Sequence, residues 1–307
     1  MEKWMMIVNP ASASATTKDT WHESLKMLTE GGLTVESVST EGPGHGIRLA
    51  QEAAAKGFRQ FIAVGGDGTI HEVMTGLLRY ADASGADLGT FTLAVLPYGT
   101  GNDWIKTSGI PKDMSEATRC IIKGHTAVED VVRVTFPDGV YCMANIGGIG
   151  LDANICYNTN TLKKKGRKGE ILYKMVAPYS IFTKSRYPVE IICDGKTFYT
   201  GKLFSAVVGN GCYRGGGIHQ NEEGTWDDGQ LEISVMGGVN HIKGLSLMMH
   251  ALKGDFPQQK GIVSTRFRKM TVKPLGKPHR VELDGEIPGV LPATFEATGQ
   301  QIKIIVP

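Results

Sequence analysis

No apolar run in this chain approaches the roughly 18 residues that a helix needs to cross a bilayer, so membrane-spanning helices are not expected. Charge of one sign is also lacking, because 33 Lys and Arg stand against 31 Asp and Glu, for a net +2. Nucleic-acid proteins usually carry a strong basic excess, so no nucleic-acid partner is expected. The five cysteines, Cys120, Cys142, Cys156, Cys193 and Cys212, are odd in number and never spaced Cys-x-x-Cys. That pattern argues against a disulfide framework and for reduced thiols in a cytosolic protein. The first residues lack a secretory apolar segment and run straight into a strand-like Trp4–Val8, so a cytoplasmic chain is expected. The histidines show no zinc spacing; His71-Glu72 opens like a His-Glu-x-x-His helix, but position 75 is Thr75.

Two familiar nucleotide signatures are missing as well. A Gly-x-Gly-x-x-Gly fingerprint counted from Gly66 would end at position 71, which is His71. A Walker A loop would need its first glycine at position 190. The chain's single Gly-Lys-Thr, Gly195-Lys196-Thr197, has Glu190 there and follows Asp194 in what reads as a hairpin turn. Neither motif therefore identifies a nucleotide.

What the chain does have is glycine, 40 of them in 307 residues, clustered in loops between apolar runs. The richest stretch is Phe61-Ile62-Ala63-Val64-Gly65-Gly66-Asp67-Gly68-Thr69. It opens as a buried parallel strand and breaks at three glycines around one carboxylate. It then turns helical, with Ile70, Val73, Met74, Leu77 and Leu78 on one face. Strand, glycine turn and helix start together make a seat for phosphate, since glycine admits close approach and a helix N-terminus offers unpaired N–H groups. A second glycine loop, Gly99-Thr100-Gly101-Asn102-Asp103, follows the strand-like Phe91–Leu96. Loops at the carboxyl ends of neighbouring parallel strands converge on one crevice, so Thr100 and Asn102 are candidates to bond phosphate or ribose there. Asp67 is a candidate to hold a metal or orient a hydroxyl.

The length allows two domains. Up to about residue 125 strands and helices alternate, as in an α/β domain with a parallel sheet. Beyond it strand-like runs follow one another: Val128–Phe136, Val140–Ile146, Val189–Cys193, Thr197–Val208, Gln230–Met236, Arg266–Lys273 and His279–Leu283. Helices are expected only near 169–184 and 240–253. This half reads as an antiparallel β-rich sandwich or barrel. The last run, Gln301–Val306, either closes it or returns to the first domain. Two further segments stand out, Gly209-Asn210-Gly211 with its dense glycines and Asp284-Gly285-Glu286 with two carboxylates at a tight turn. Asp-Gly alone is an ordinary hairpin turn, yet a turn can also aim a carboxylate into a cleft as a general base.

In this order, Asn9-Pro10, Gly65-Gly66-Asp67-Gly68-Thr69, Gly99-Thr100-Gly101-Asn102-Asp103, the segment Asn145 to Ala153, Gly209-Asn210-Gly211, Asp228-Gly229 and Asp284-Gly285-Glu286 resemble the diacylglycerol kinase catalytic-domain family, which includes bacterial lipid kinases and sphingosine kinases. The resemblance runs through nearly the whole chain. It implies a nucleotide-binding domain of residues 1–127 and 294–307 and a lipid-substrate domain of residues 128–293. It implies an ATP-dependent kinase that phosphorylates a lipid hydroxyl, with diacylglycerol or a related lipid as acceptor. ATP would lie against Asn9, Thr40, Gly65, Gly66, Asp67, Gly68, Thr69, Gly99, Thr100 and Asn102. Glu286 would accept the hydroxyl proton, and Asp67 would orient the phosphates, a metal ion or the acceptor. Asp228, with backbone oxygens near Thr225 and Gln230, would hold Mg2+ in support of the second domain. The chain departs from the family pattern at His71, where Asn is usual, at Ala13, at Gly46 and at Ile218-His219-Gln220-Asn221. A kinase of a soluble acceptor such as NAD shares the Gly-Gly-Asp-Gly turn and is the rival enzyme; a catalytically silent lipid- or nucleotide-binding regulator is the rival of another class. The segment Leu162–Tyr187, with Lys163-Lys164-Lys165 and then Ile171, Leu172 and Tyr173, is either a peripheral contact for the anionic inner face of the membrane or a solvated loop before a core helix. The oligomeric state is not encoded in any pattern we recognise.

Overall fold

The computed structural model describes residues 3–12, 20–99, 101–164, 176, 180, 187–211, 213–214, 218–219, 225–239, 241–253 and 261–307. The first half builds β1 (Lys3–Val8), α1 (Trp21–Glu30), β2 (Thr34–Ser39), α2 (His45–Ala55), β3 (Gln60–Gly65), α3 (Asp67–Ser84), β4 (Thr92–Pro97), α4 (Trp104–Ser108) and α5 (Met114–Lys123). The four strands are parallel in the order β2-β1-β3-β4. Phe61, Ile62, Ala63 and Val64 of β3 are all fully buried, as a strand covered on both faces requires. Helix α2 packs on α3, and α1 on α5. The stripe predicted for α3 (Ile70, Val73, Met74, Leu77 and Leu78) lies inward, each residue at most 2% exposed.

The second half is a sandwich. One layer continues the first sheet through β5 (Thr126–Phe136), β6 (Gly139–Met143), β8 (Tyr187–Cys193), β9 (Lys196–Leu203), β15 (Lys269–Pro274) and β18 (Ala293–Ile305). The other layer contains β7 (Ile146–Gly150), β10 (Ser205–Gly209), β13 (Leu231–Met236), β14 (Ile262–Phe267), β16 (Arg280–Leu283) and β17 (Glu286–Val290), ordered β14-β13-β10-β7-β16-β17. Between the layers lies a second core that includes Val134, Ile191, Val272 and Phe295 from one side and Ile149, Val208, Ile233 and Leu283 from the other. The long strand β18 joins the halves. It pairs with β15 and β5 along its length and runs parallel to β4 at Lys303 and Ile304. Beside the sandwich stand α6 (Leu151–Lys164), the short ribbon of β11 (Tyr213–Arg214) with β12 (Ile218–His219), and α7 (His241–Lys253). The described cysteines form no disulfide. Among the described residues no helix is long and apolar enough to cross a membrane.

Three runs expected to be single strands are each divided between the layers. Val140–Ile146 splits into β6 and β7 because the N–H groups of Ala144, Asn145 and Ile146 turn to the Asp284 carboxylate. Arg266–Lys273 splits into β14 and β15, where the N–H groups of Arg268 and Lys269 bond Asp194. Thr197–Val208 splits at Phe204, whose N–H donates to Met236 and whose carbonyl accepts from Leu151. Apolar residues flank each corner on both sides, so the alternation of the sequence carries no mark of it. Helices α4, α5 and α6 were not expected. The segment near 169–184 and the basic stretch from Lys165 to Arg186 lie outside the described residues except at 176 and 180, which are helical.

Candidate active site

The glycine loops after β3 and β4 touch. A Cβ on Gly99 would stand 2.5 Å from the Cα of Gly66, so neither position can carry a side chain without moving the backbone. The loops are also hydrogen-bonded, with Tyr98 N–H donating to the Gly65 carbonyl at 2.8 Å. At the end of β1, Asn9 Nδ2 donates to Thr69 Oγ1 at 3.1 Å. At the end of β2, Thr40 N–H donates to the Val8 carbonyl at 2.8 Å. Asn9, Thr40, Gly65, Gly66, Gly68, Thr69, Gly99 and Asn102 therefore gather at the carboxyl edge of one parallel sheet, the usual place for a ligand in such a fold. Thr100 lies outside the described residues. Helix α3 begins at this edge. Its first intrahelical acceptor is the Gly66 carbonyl, bonded by Thr69 and Ile70, so the N–H groups of Asp67 and Gly68 come before the helix's own bonding. That is the geometry that draws an anion.

Asn102 adopts a positive φ of 51° and donates from Nδ2 to the Gly99 carbonyl at 2.8 Å. Its Oδ1 is buried with no partner among the described residues and points toward the Gly66–Gly99 contact. A buried acceptor left bare is costly, so a hydroxyl or N–H arriving there would be held. Asp67 is half-buried and turns its carboxylate under the second loop, accepting from Asp103 N–H at 3.1 Å and Trp104 N–H at 3.0 Å. Burial pushes its pKa up to about 6. The Trp104 and Asp103 N–H groups pull it down, and the charges of Asp103 and Asp284 add to the rise.

The carboxylates of the late turn have separate tasks. Asp284 and Gly285, at φ 51° and 86°, make the tight connection between β16 and β17. Glu286 opens β17 and brings Oε1 to 3.1 Å from where a Cβ on Gly68 would be. Glu286 and the start of α3 thus stand side by side, although more than 200 residues separate them in sequence. Asp284 faces the other way, into the protein. Its buried carboxylate accepts from Ala144 at 2.9 Å, Asn145 at 2.8 Å and Ile146 at 3.2 Å, and lies 3.1 Å from Nδ1 of buried His71. The Gly285 carbonyl is held from α6 by Asn160 Nδ2 at 2.9 Å. His71 is therefore the residue through which α3 grips the turn. Gly46 also has a local reason: a Cβ there would stand 2.6 Å from Oε2 of Glu72, whose carboxylate accepts from the N–H groups of Gly44 and Gly46.

One buried acid escaped sequence reasoning. Glu129, 1% exposed, accepts the Trp104 indole N–H at 3.0 and 3.1 Å. Burial pushes its pKa to about 8; Trp104 opposes this, and the charges of Asp284 and Asp130 reinforce it. The available signal was the adjacent acidic pair Glu129-Asp130 inside a strand with the apolar run Val131-Val132 beside it, which alternation sends in different directions. Asp130 turns toward the 225–230 turn, accepting from Gly229 N–H at 2.6 Å and Gln301 Nε2 at 3.0 Å.

Thr225, Asp228 and Gln230 also come together, but around a guanidinium. Asp228 accepts from Gln230 N–H at 3.0 Å, and its other oxygen meets the Thr225 hydroxyl and Arg266. Burial pushes its pKa upward, yet these donors hold it below the ordinary aspartate value. Magnesium needs oxygen acceptors around it. The groups bonded to the Asp228 carboxylate are donors, one of them already cationic, so a magnesium ion held by this carboxylate and backbone oxygens near Thr225 and Gln230 would have to displace Arg266.

The diacylglycerol kinase catalytic domain family matches residues 3–134, and the family described as YegS C-terminal NAD kinase beta sandwich-like domain matches residues 146–306. A diacylglycerol kinase of Bacillus subtilis is 28% identical over 100% of this chain and 97% of its own length. A Klebsiella pneumoniae protein named "Probable lipid kinase YegS-like" is 30% identical over 73% of this chain and 71% of its own. A Bacillus anthracis crystal structure, provisionally named a diacylglycerol kinase, superposes with a TM-score of 0.77 at 26% identity, covering 100% of this chain and 95% of that one. The chain belongs to the diacylglycerol kinase and YegS family of lipid kinases.

Proposed function

We propose that this protein transfers the γ-phosphoryl group of ATP to the hydroxyl of a membrane lipid, with diacylglycerol or a related acylglycerol as acceptor. The observation that carries the reading is Glu286 standing over Gly68 at the start of α3, beside the two touching glycine loops. Phosphoryl transfer asks a protein mainly to position its reactants and offset charge. The N–H groups of Asp67 and Gly68 supply the charge, and the bare Oδ1 of Asn102 offers an acceptor to a ribose hydroxyl or the amino group of the base. Glu286 takes the proton of the lipid hydroxyl as the phosphoryl group arrives. Asp67 keeps the second loop in place through Asp103 and Trp104 and adds a carboxylate at the seat. The divalent ion that accompanies ATP offsets phosphate charge.

Membrane access through Leu162–Tyr187 remains part of this reading, on the strength of its lysines. The NAD-kinase alternative draws on the likeness of the sandwich family to NAD kinases, whereas the N-terminal match and the two relatives above are lipid kinases by name. The experiment is transfer of label from ATP to diacylglycerol, a long-chain base and NAD, with products identified by mass. We expect labelled phosphatidic acid, and a drop of about a hundredfold or more in Glu286→Gln and Asp67→Asn, both folded. Transfer to NAD alone, or near wild-type turnover in both variants, refutes it.

A further inference from the structure

We infer that α7 is a docking face for an anionic bilayer, distinct from the lysine-rich segment before it. Gly244 fixes which way this helix faces. Its Cα lies so close to the buried Phe204 ring that a Cβ would stand 2.5 Å from Cζ, so this side of the helix is pressed onto the sandwich. The opposite stripe carries Ile242, Leu245 and Met249 at i, i+3 and i+7, exposed by 82%, 37% and 49%. Three large apolar side chains in line on one exposed face are not the scattered singles of an ordinary surface. Val263, 47% exposed on the edge strand β14, adds a fourth, and Lys243 Nζ reaches over Gly261 just before that strand.

The charge pattern selects the partner. Helix α7 bears His241, Lys243, His250 and Lys253 and no acidic residue. A described apolar stripe with Lys243 beside it, on a helix whose sequence holds no acidic residue, suits a surface of acyl chains beneath anionic headgroups. A stable protein partner fits poorly, because such interfaces engage about 20–30 residues on each side. The face is also linked to the site. Helix α7 packs on β12, and its ribbon partner β11 packs on α4, whose first N–H, that of Trp104, holds Asp67. Docking through α7 would place the membrane that holds the acceptor one ribbon and one short helix away from Asp67.

The choice of bilayer over protein rests on the lipid-kinase reading, so the test reads binding apart from turnover. The full chain is floated with vesicles of phosphatidylcholine, with and without phosphatidylglycerol, and compared with Ile242→Ser/Met249→Ser and with Lys243→Glu. We expect wild-type binding that needs phosphatidylglycerol, and a loss of about tenfold or more in the double variant. Lys243→Glu should weaken binding less, and all three proteins should turn over short-chain diacylglycerol in detergent micelles alike. Absence of any transfer to lipid in micelles, with vesicle binding still lost in the double variant, leaves docking standing and removes the kinase reading. Vesicle binding equal in wild type and double variant overturns docking. So does a wild-type dimer that the double variant converts to monomer with no change in vesicle binding.

Discussion

Glu129 offers a sharp test of the site's electrostatics, because its buried carboxyl meets the Trp104 indole and the Asn210 side chain and no cation among the groups that shift it. The carboxyl is ordinarily half-protonated at 4.5, and burial moves that point to about 8. At about 1.4 kcal/mol per pH unit this interval corresponds to roughly 5 kcal/mol against the ionised form. Water entry on ionisation relieves part of it, so a measured effect of about 2–4 kcal/mol is expected. The sign follows from proton counting. Between about pH 4.5 and 8 the folded chain keeps a proton that the unfolded chain has released, so stability falls as pH rises through this window and levels off above it. Glu129→Gln removes the titration while leaving an amide oxygen for the Trp104 N–H. Urea unfolding followed by circular dichroism at pH 6 and pH 9 should show the wild type weakening relative to the variant at the higher pH. Turnover of the wild type should fall with it, since Trp104 also holds Asp67 through its backbone N–H. A difference between wild type and variant that stays constant across the window refutes the reasoning, as does one that grows on acidification.

Other expectations follow from single contacts. His71→Ala should lower kcat about tenfold or more with little change in KM for ATP. His71→Asn should restore much of that rate, because its amide N–H can still reach Asp284; equal kcat in all three would leave the grip on the turn without a role. Gly46→Ala should lower stability by about 1–2 kcal/mol, read as a lower Tm, through the clash with Glu72. The Tm of the nucleotide-free wild type should be the same in EDTA and in magnesium. Arg266→Met, which leaves Asp228 without its cation, should lower Tm and make it rise with added magnesium; magnesium-dependent Tm in the wild type would contradict the guanidinium assignment.

The first half of the fold was legible because its signals are local. Period and burial agree in α3, and the apolar strand before it is buried on both faces as its composition requires. The glycine loops were legible for the same reason, since glycines at successive strand ends announce close approach. The sandwich was legible as a class but not in its layers. Three strands turn corners where a distant carboxylate or carbonyl captures N–H groups, and nothing in Val140–Ile146 marks that Asp284 waits for it. Glu129 and His71 were hidden similarly. A glutamate in a strand and a histidine in a helix mean little until Trp104 and Asp284 are placed beside them.

Asp284 shows why site and fold cannot be separated here. Its carboxylate ends β6, starts β7 and meets α3 through His71, while the turn it begins sets Glu286 over the start of the same helix. The position of the proposed base is thus fixed by three elements that also hold the two halves together. Loss of Asp284 would strip an acceptor from several buried N–H groups at once and damage fold and turnover alike. Residues that grip the turn from outside are more informative. His71 from α3 and Asn160 from α6 act on opposite sides of it, so changes at either can shift the base without opening the sheet. A base delivered by a clamped hairpin is also placed before substrate arrives, and such preorganisation is what phosphoryl transfer most needs from a protein.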